Sequence, residues 1–482
     1  MPDKLPVDIN DTVRQDQIVI ARNYNDGNHN VKLTERLKQF LNQDFPFRLN
    51  MCRTVVSAVA ERLRVIGFDS VNTNLIDWAT NLWDINSMAA IQEEIYEAAL
   101  RDGEGFMIVD WDNELLRPRW VFNERYTSKA AGGNDTGCWM VYEQNDHRQK
   151  PLYAVKQWSE IEEGGDEYQI RRTYYYPDRV EKYVNTGNEW KTFEATIPWM
   201  GPDKLPLGIA AIPFNNKGLR CEAWDAFPLQ DALNKTLVDL LSSSDITAFR
   251  IFYALGFIPT TDGKTPAADG SNLLKIEPGT VVGTSKSARD AEFGAIEPAN
   301  IAPLMDEAHQ IVLWCAMVTA TPVSRFISTR LVASESTLKE QKGPLISRVT
   351  ARQESFKGSW SKCLTLSAKL QTLYGEGAVD IVTKVTPTWA DAASRGEAEK
   401  MDVLQQKKAL GVPTKQLWIE MGYDNKTIEK MEQMQQEARD EQQRIFGSGD
   451  GTDDNSGDGT DDTTADGGAA TSGESVTGEE TE

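Results

Sequence analysis

Val55, Val56, Val59, Leu63 and Ile66 lie on or near one face of a helical wheel. Their spacing predicts an amphipathic helix over 50–66, with Gly67 as its C-cap. Shorter runs of the same period predict helices over 8–22 and 31–42, separated by the turn-rich NYNDGNHN, and over 84–101, closed by Arg101, Asp102 and Gly103. Trp224, Phe227, Leu233, Leu237, Leu240 and Leu241 make a stripe that predicts helix over 222–254. The apolar run LMDEAHQIVLWCAMV predicts another over 304–318. The longest helical stretch covers 334–373, with Leu338, Leu345, Ile346, Val349, Phe356, Trp360, Leu364 and Leu366 at loose helical period. Gly343-Pro344 falls inside it, where proline lacks a backbone donor and is expected to kink the helix.

Between 105 and 215 the period changes to two. FMIVDWD, RPRWVF, CWMVYEQ, PLYAVKQW, EYQIRRTYYYP, RVEKYV and the segment around Trp190 are short, rich in Tyr, Trp and Val, and divided by Gly, Asp and Asn. This predicts an antiparallel β region. Residues 256–303 break into Gly, Pro, Asp and Ser, with strands expected at SNLLKIE and TVVGT, so a small α/β insert is predicted between two helices. The helix after the insert leads into a polar loop carrying Arg325 and Arg330. After 375 the expected order is a strand, AVDIVTKVTPTW, then helices at about 392–410, 413–421 and 425–446.

Charge changes this picture at one end. The net charge is −22, and the last 36 residues hold eleven Asp or Glu with no Lys or Arg, which leaves −11 for the body. Such a tail is expected to be disordered and dispensable for folding. An acidic body disfavours tight gripping of duplex DNA by phosphate neutralisation, though not passive contact with it. Length suits two to four units, and no run approaches the ~18 apolar residues of a membrane helix. The N-terminus has no apolar core for a secretion signal. Cys52, Cys138, Cys221, Cys315 and Cys363 are scattered, as expected of free thiols in a protein folded in a reducing cytoplasm.

Searches for chemistry return little. GxxxxGK[ST], HExxH, CxxC and GxSxG are absent, and His29, His147 and His309 stand far apart, so a nucleotide-hydrolase loop, a zinc site or a histidine triad is not expected. DGTDDNSGDGTDD has part of a calcium-loop spacing from Asp454, but Ala465 stands where a bidentate Glu is required; a solvated spacer is the plainer reading. Thirteen Trp beside many carboxylates leave a carbohydrate-active hydrolase as an alternative. No carboxylate pair stands out, and most Trp alternate in strands or sit on helical faces as core residues do.

Several phrases in order resemble the portal proteins of tailed double-stranded DNA bacteriophages, in the long-tailed branch. Asn50 with VVSAVAERLRVIGF (55–68) is similar to that family's "RL-V-GF" helix, and ALRDGEGFMIVD (99–110) resembles the step that follows. RTYYYPDRVEKY (172–183) looks like its "tY-pd-i" strand pair. IAAIPFNNKG and then PLQDALNKTLVDL (228–240) resemble "iPvv-f-N" leading into "lQDalN-t--D". ASESTLKEQKGPL (333–345) is similar to "SGEALK--e--L", although Glu335 and Ser336 stand where Gly and Glu are usual; Ser334 can still cap that helix. TWADAASRGEAEKMDVLQQKKALGVPTKQLWIEMGY (388–423) resembles the closing segment.

The resemblance implies an α+β, portal-like subunit. Its parts would be an α/β wing (1–220), a first stem helix (221–255), a small α/β clip (256–302), a second stem helix (303–320) and a channel loop (321–333). A long kinked wing helix (334–374), a return strand with a helical crown (375–446) and the acidic tail (447–482) would follow. It implies a homo-oligomeric, dodecameric ring at one capsid vertex, assembled in the bacterial cytoplasm. DNA would pass through this ring in packaging and ejection. Partners would be the terminase large subunit, a head-completion adaptor, and the major capsid and scaffolding proteins, with no membrane, no cofactor, no metal and no catalytic residue. Thr321, Pro322, Ser324, Arg325, Phe326, Ser328 and Arg330 would face the channel in a flexible loop, and Lys264, Lys275, Lys286 and Arg289 would dock partners on the clip. A different phage structural protein, such as a capsid or scaffold component, is a further alternative.

Overall fold

A computed structural model describes residues 12–29, 49–127, 136–161, 168–186, 189–201, 203–248, 252–255, 292–295, 300–327, 335–393, 397–421, 423 and 425–447. The helix expected over 31–42, both strands expected inside the insert, and the tail beyond 447 lie outside these residues. The fold mixes α and β elements, in agreement with the α+β expectation.

In chain order the first elements are α1 (Thr12–Asp26), α2 (Met51–Ala60), β1 (Val65–Asp69), α3 (Thr73–Ile85), α4 (Met88–Asp102), β2 (Glu104–Asp112) and β3 (Arg117–Glu124). The β-rich stretch adds β4 (Gly137–Tyr142), β5 (Pro151–Ile161), β6 (Tyr168–Tyr175), β7 (Arg179–Thr186), β8 (Glu189–Thr192), β9 (Ile197–Pro198) and β10 (Ala211–Asn215). Then come α5 (Phe227–Ala248), β11 (Phe252–Leu255), β12 (Glu292–Ala295), α6 (Ala302–Val318), α7 (Glu335–Tyr374), β13 (Thr386–Trp389) and α8 (Glu397–Ala409). A separate unit beyond Pro413 consists of α9 (Thr414–Met421) and α10 (Asn425–Gly447), joined by a Lys415–Glu432 ion pair at 3.3 Å.

The helix predicted over 50–66 is shorter than its pattern. Asn50 caps α2 by accepting the Arg53 N–H at 3.1 Å, but the helix stops at Ala60. Val65 to Asp69 instead form β1, antiparallel to β13, with Val65 opposite Trp389 and Asp69 opposite Thr386. Gly67 marks an irregularity in that pairing and not a helix cap. The cause is a distant partner that satisfies the backbone of a Val-Ile-Gly-Phe run, whose residue types favour strands. The helix predicted over 84–101 is α4 alone, because Asn86 ends α3 and Ser87 turns left-handed at φ 54°. Helix α3 had no counterpart in the sequence reading. Gly103 closes α4 as predicted, at φ 88°, where a Cβ would collide with the Leu219 carbonyl.

Strands β10, β2 and β3 form one antiparallel sheet, and β2 buries Glu104 to Val109 without a break, so both its faces are covered. Strands β4 to β8 make a meander, with β9 added against β7. Helix α7 continues through Pro344 and packs on the β10–β2–β3 sheet. Its Leu345, Val349, Phe356, Trp360 and Leu364 are buried, which is the face that the sequence stripe marked. Trp360 is the hub: its ring centroid lies 4.9 Å from Trp83, 5.7 Å from Trp120 and 4.7 Å from Phe214.

Two buried ionic clusters tie these layers together. Asp102 receives Arg22 at 2.6 Å and Arg101 at 2.8 Å, while Glu104 receives Arg125 at 2.9 Å. Burial pushes the Asp102 carboxyl up, but its two arginines outweigh this and hold it below the ordinary value. On the other side, Glu222 takes Arg348 at 2.5 Å and Arg352 at 2.9 Å, which fastens α7 to the segment leading into α5.

Candidate functional site

Helices α5 and α6 pack side by side, and the chain passes from one to the other through the β11–β12 pair. The first half of α5 is pinned by polar contacts. Buried Gln230 accepts the Met51 N–H at 2.7 Å and donates to the Leu49 carbonyl. Tyr24 donates to Asp231 at 2.8 Å, and Asn234 meets His29 Nε2 at 2.9 Å. Thus the polar members of PLQDALN anchor α5 to α1 and to the start of α2. Their burial follows from this pairing, since buried polar side chains are as a rule hydrogen-bonded.

Helix α6 buries Ile311, Val312, Cys315 and Ala316, and the opposite side of its last two turns is apolar but exposed. Trp314 is 46% and Met317 72% exposed, with Leu313 and Val318 beside them. Exposed apolar strips of this kind are found at protein, membrane and ligand contact surfaces.

The chain then stops α6 with a Schellman turn. The Thr321 N–H donates to the Ala316 carbonyl at 3.0 Å and the Ala320 N–H to Met317 at 3.2 Å. Ala320 takes the left-handed position, φ 49°, usually held by glycine. Thr319 donates to the Cys315 carbonyl at 2.7 Å and lies 3.1 Å from the Thr321 hydroxyl. A single turn at Val323–Arg325 follows, and Arg325 Nη2 reaches Glu61 Oε2 at 2.7 Å. Phe326 and Ile327 pack on the core and, with Arg325, line a cavity of about 320 Å3 between α5, α6 and the start of α2. Next to this pair, burial and then the Arg325 charge pull the Arg62 guanidinium below its ordinary value.

The residues expected to face a channel therefore divide. Thr321 and Pro322 are buried parts of the helix stop, Phe326 is half-buried, and among the described residues of this set Ser324 and Arg325 are exposed. The expected freedom of the loop does not extend to 321–327, because the Schellman turn, the Glu61 pair and the Phe326 packing hold that part down. Ser328, Arg330 and the rest of the loop to 334 lie outside the described residues. So do Lys264, Lys275, Lys286 and Arg289; of the insert 256–302, residues 292–295 and 300–302 are described. Sequence reasoning missed Glu61, which lies 264 positions from its partner and carried no local mark.

Tryptophan abundance has a packing explanation. Trp83, Trp120, Trp139, Trp199 and Trp360 are buried and cannot serve as sugar platforms. Among the described residues no group of His, Cys, Asp and Glu could hold a metal ion, and no helix is long and apolar enough to cross a membrane.

Comparison with known proteins gives two findings. Residues 48–444 match the family described as "Phage portal protein, SPP1 Gp6-like". A protein named "Portal protein" from Mycobacterium phage D29 is 21% identical over 407 residues, covering 80% of this chain and 78% of the relative.

Proposed function

The chain belongs to the SPP1 Gp6-like family of phage portal proteins, and from that premise we propose that it builds the DNA channel at one vertex of a tailed-phage capsid. Phage portal proteins are structural components of the virion and not enzymes. In this reading the copies form a homododecameric ring, with α5 and α6 as the stem around the channel. The insert 256–302 is the clip, whose Lys264, Lys275, Lys286 and Arg289 meet the terminase large subunit and later the head-completion adaptor. The helices and sheets of 1–220 and α7 form the wing, which meets capsid and scaffolding proteins. Ser324, Arg325, Ser328 and Arg330 present the polar side of the loop to passing DNA.

The family match carries the reading, because 48–444 takes in both proposed stem helices and the loop between α6 and α7. The exposed strip on α6 supports it: a ring gives Trp314 and Met317 a neighbour to bury them. An acidic body with isolated arginines supports transit of DNA over adhesion to it.

Light scattering and negative-stain images of the purified protein test the ring. The expected particle is many times 53.8 kDa and has a central hole; a strict monomer at every salt concentration refutes the proposal. Replacing 256–302 by a short linker should leave the circular dichroism of the wing intact and abolish packaging in vitro. Packaging by that variant would remove the clip from its docking role.

A further inference from the structure

An open groove of about 560 Å3 lies between α7, the segment before β10 and the turn at 381–384. Lys362 and Lys369 enter it from α7 and Lys384 from the facing turn. No Asp or Glu lines it, although the protein as a whole carries −22. Apart from Ser361, Thr365, Thr383 and two glycines, its remaining walls are aliphatic, from buried Ile212 and Leu366 to Val382, which is 91% exposed.

One further feature bears on an occupant. Gly358, about one turn before Lys362 on the same face, sits in the middle of a long helix, where glycine is weaker than alanine. A Cβ there would meet nothing within 4 Å, so packing does not demand glycine. What the missing side chain does is keep the groove open.

We propose that this groove binds an acidic, partly apolar peptide segment of another protein. Carboxylates would take the three ammonium groups, and aliphatic side chains would rest on Ile381 and Val382. Duplex DNA would engage the lysines but leave the aliphatic wall of Ile381 and Val382 unused. Inorganic phosphate would leave the exposed aliphatic wall unused. The proposal rests on the groove itself and stands apart from the channel reading.

The test uses the full-length protein and a fluorescent peptide of alternating Glu and Leu, followed by anisotropy. Duplex oligonucleotide and inorganic phosphate serve as competitors. Saturable binding is expected, weakened about tenfold by the pair Lys362→Glu and Lys369→Glu, and retained when both become Arg. Gly358→Leu should block the groove. Gly358→Ala should raise the melting temperature while lowering affinity, which separates the groove from folding. Equal affinity in wild type, the charge-reversed pair and Gly358→Leu overturns the proposal. So does displacement of the peptide by phosphate or duplex at lower concentration than by unlabelled peptide.

Discussion

Trp360 Nε1 donates to the Tyr96 hydroxyl across 2.8 Å, and both side chains are fully buried. This bond joins α7 to α4 at the centre of the core. Tyr96→Phe keeps the ring but removes the acceptor and leaves a buried N–H unsatisfied, which should cost about 1–3 kcal/mol. The midpoint of chemical unfolding reads this out, and an unchanged midpoint would show that the indole finds another acceptor.

Glu222→Gln leaves Arg348 and Arg352 without their shared charge and should destabilise by about 3 kcal/mol at neutral pH. Burial pushes the Glu222 carboxyl up, but the two arginines outweigh it and hold it below its ordinary value. A depressed native pKa means that the unfolded chain binds the proton first. The contribution is therefore complete above about pH 4.3, the ordinary glutamate value, and is lost as pH falls through the lower native one. Acid titration of stability should show a shallower limb for the variant than for wild type; parallel limbs would contradict the assignment.

At Ala320 the left-handed backbone opposes its side chain. Ala320→Gly should stabilise the α6 stop by about 1 kcal/mol. Thermal melting checks the sign, and a lower melting temperature would mean that the turn differs from the one described.

Met317→Lys places a charge on the exposed strip of α6 without touching the buried side. Circular dichroism should be unchanged while light scattering reports a smaller particle. Full-size rings from this variant would move the subunit interface elsewhere.

Changing Arg325 and Arg330 together to Glu should leave rings and capsids normal. The Arg325–Glu61 pair is exposed enough that losing it costs at most about 1 kcal/mol. DNA filling should be slow or incomplete, and more so at low ionic strength, where repulsion is less screened. Packaged DNA length across a salt series decides it: equal filling at every concentration removes the loop from the DNA path.

Local pattern made part of this fold legible. The β region, Gly103 as a helix stop and the buried face of α7 follow from period and cap chemistry, which act over a few residues. Val65 and Ile66 read as the end of a helix because Leu63 and Ile66 continue the apolar face of α2. What makes them a strand is Thr386–Trp389, which no window around residue 65 contains. The site behaves likewise. Arg325 was visible as a cation in a polar loop, but its partner Glu61 and the burial of Thr321 depend on how α6 ends and what lies beneath it.

The β1–β13 pairing also times the birth of the subunit. Roughly three hundred residues separate Asp69 from Thr386, and a contact of such sequence separation forms late. During synthesis the ribosome must release the stretch beyond Trp389 before Val65 and Phe68 can be covered. A truncated product ending earlier keeps an unpaired strand edge and an open flank of the core. Such fragments should be left to chaperones and proteases, and an assembling capsid would draw its subunits from finished chains.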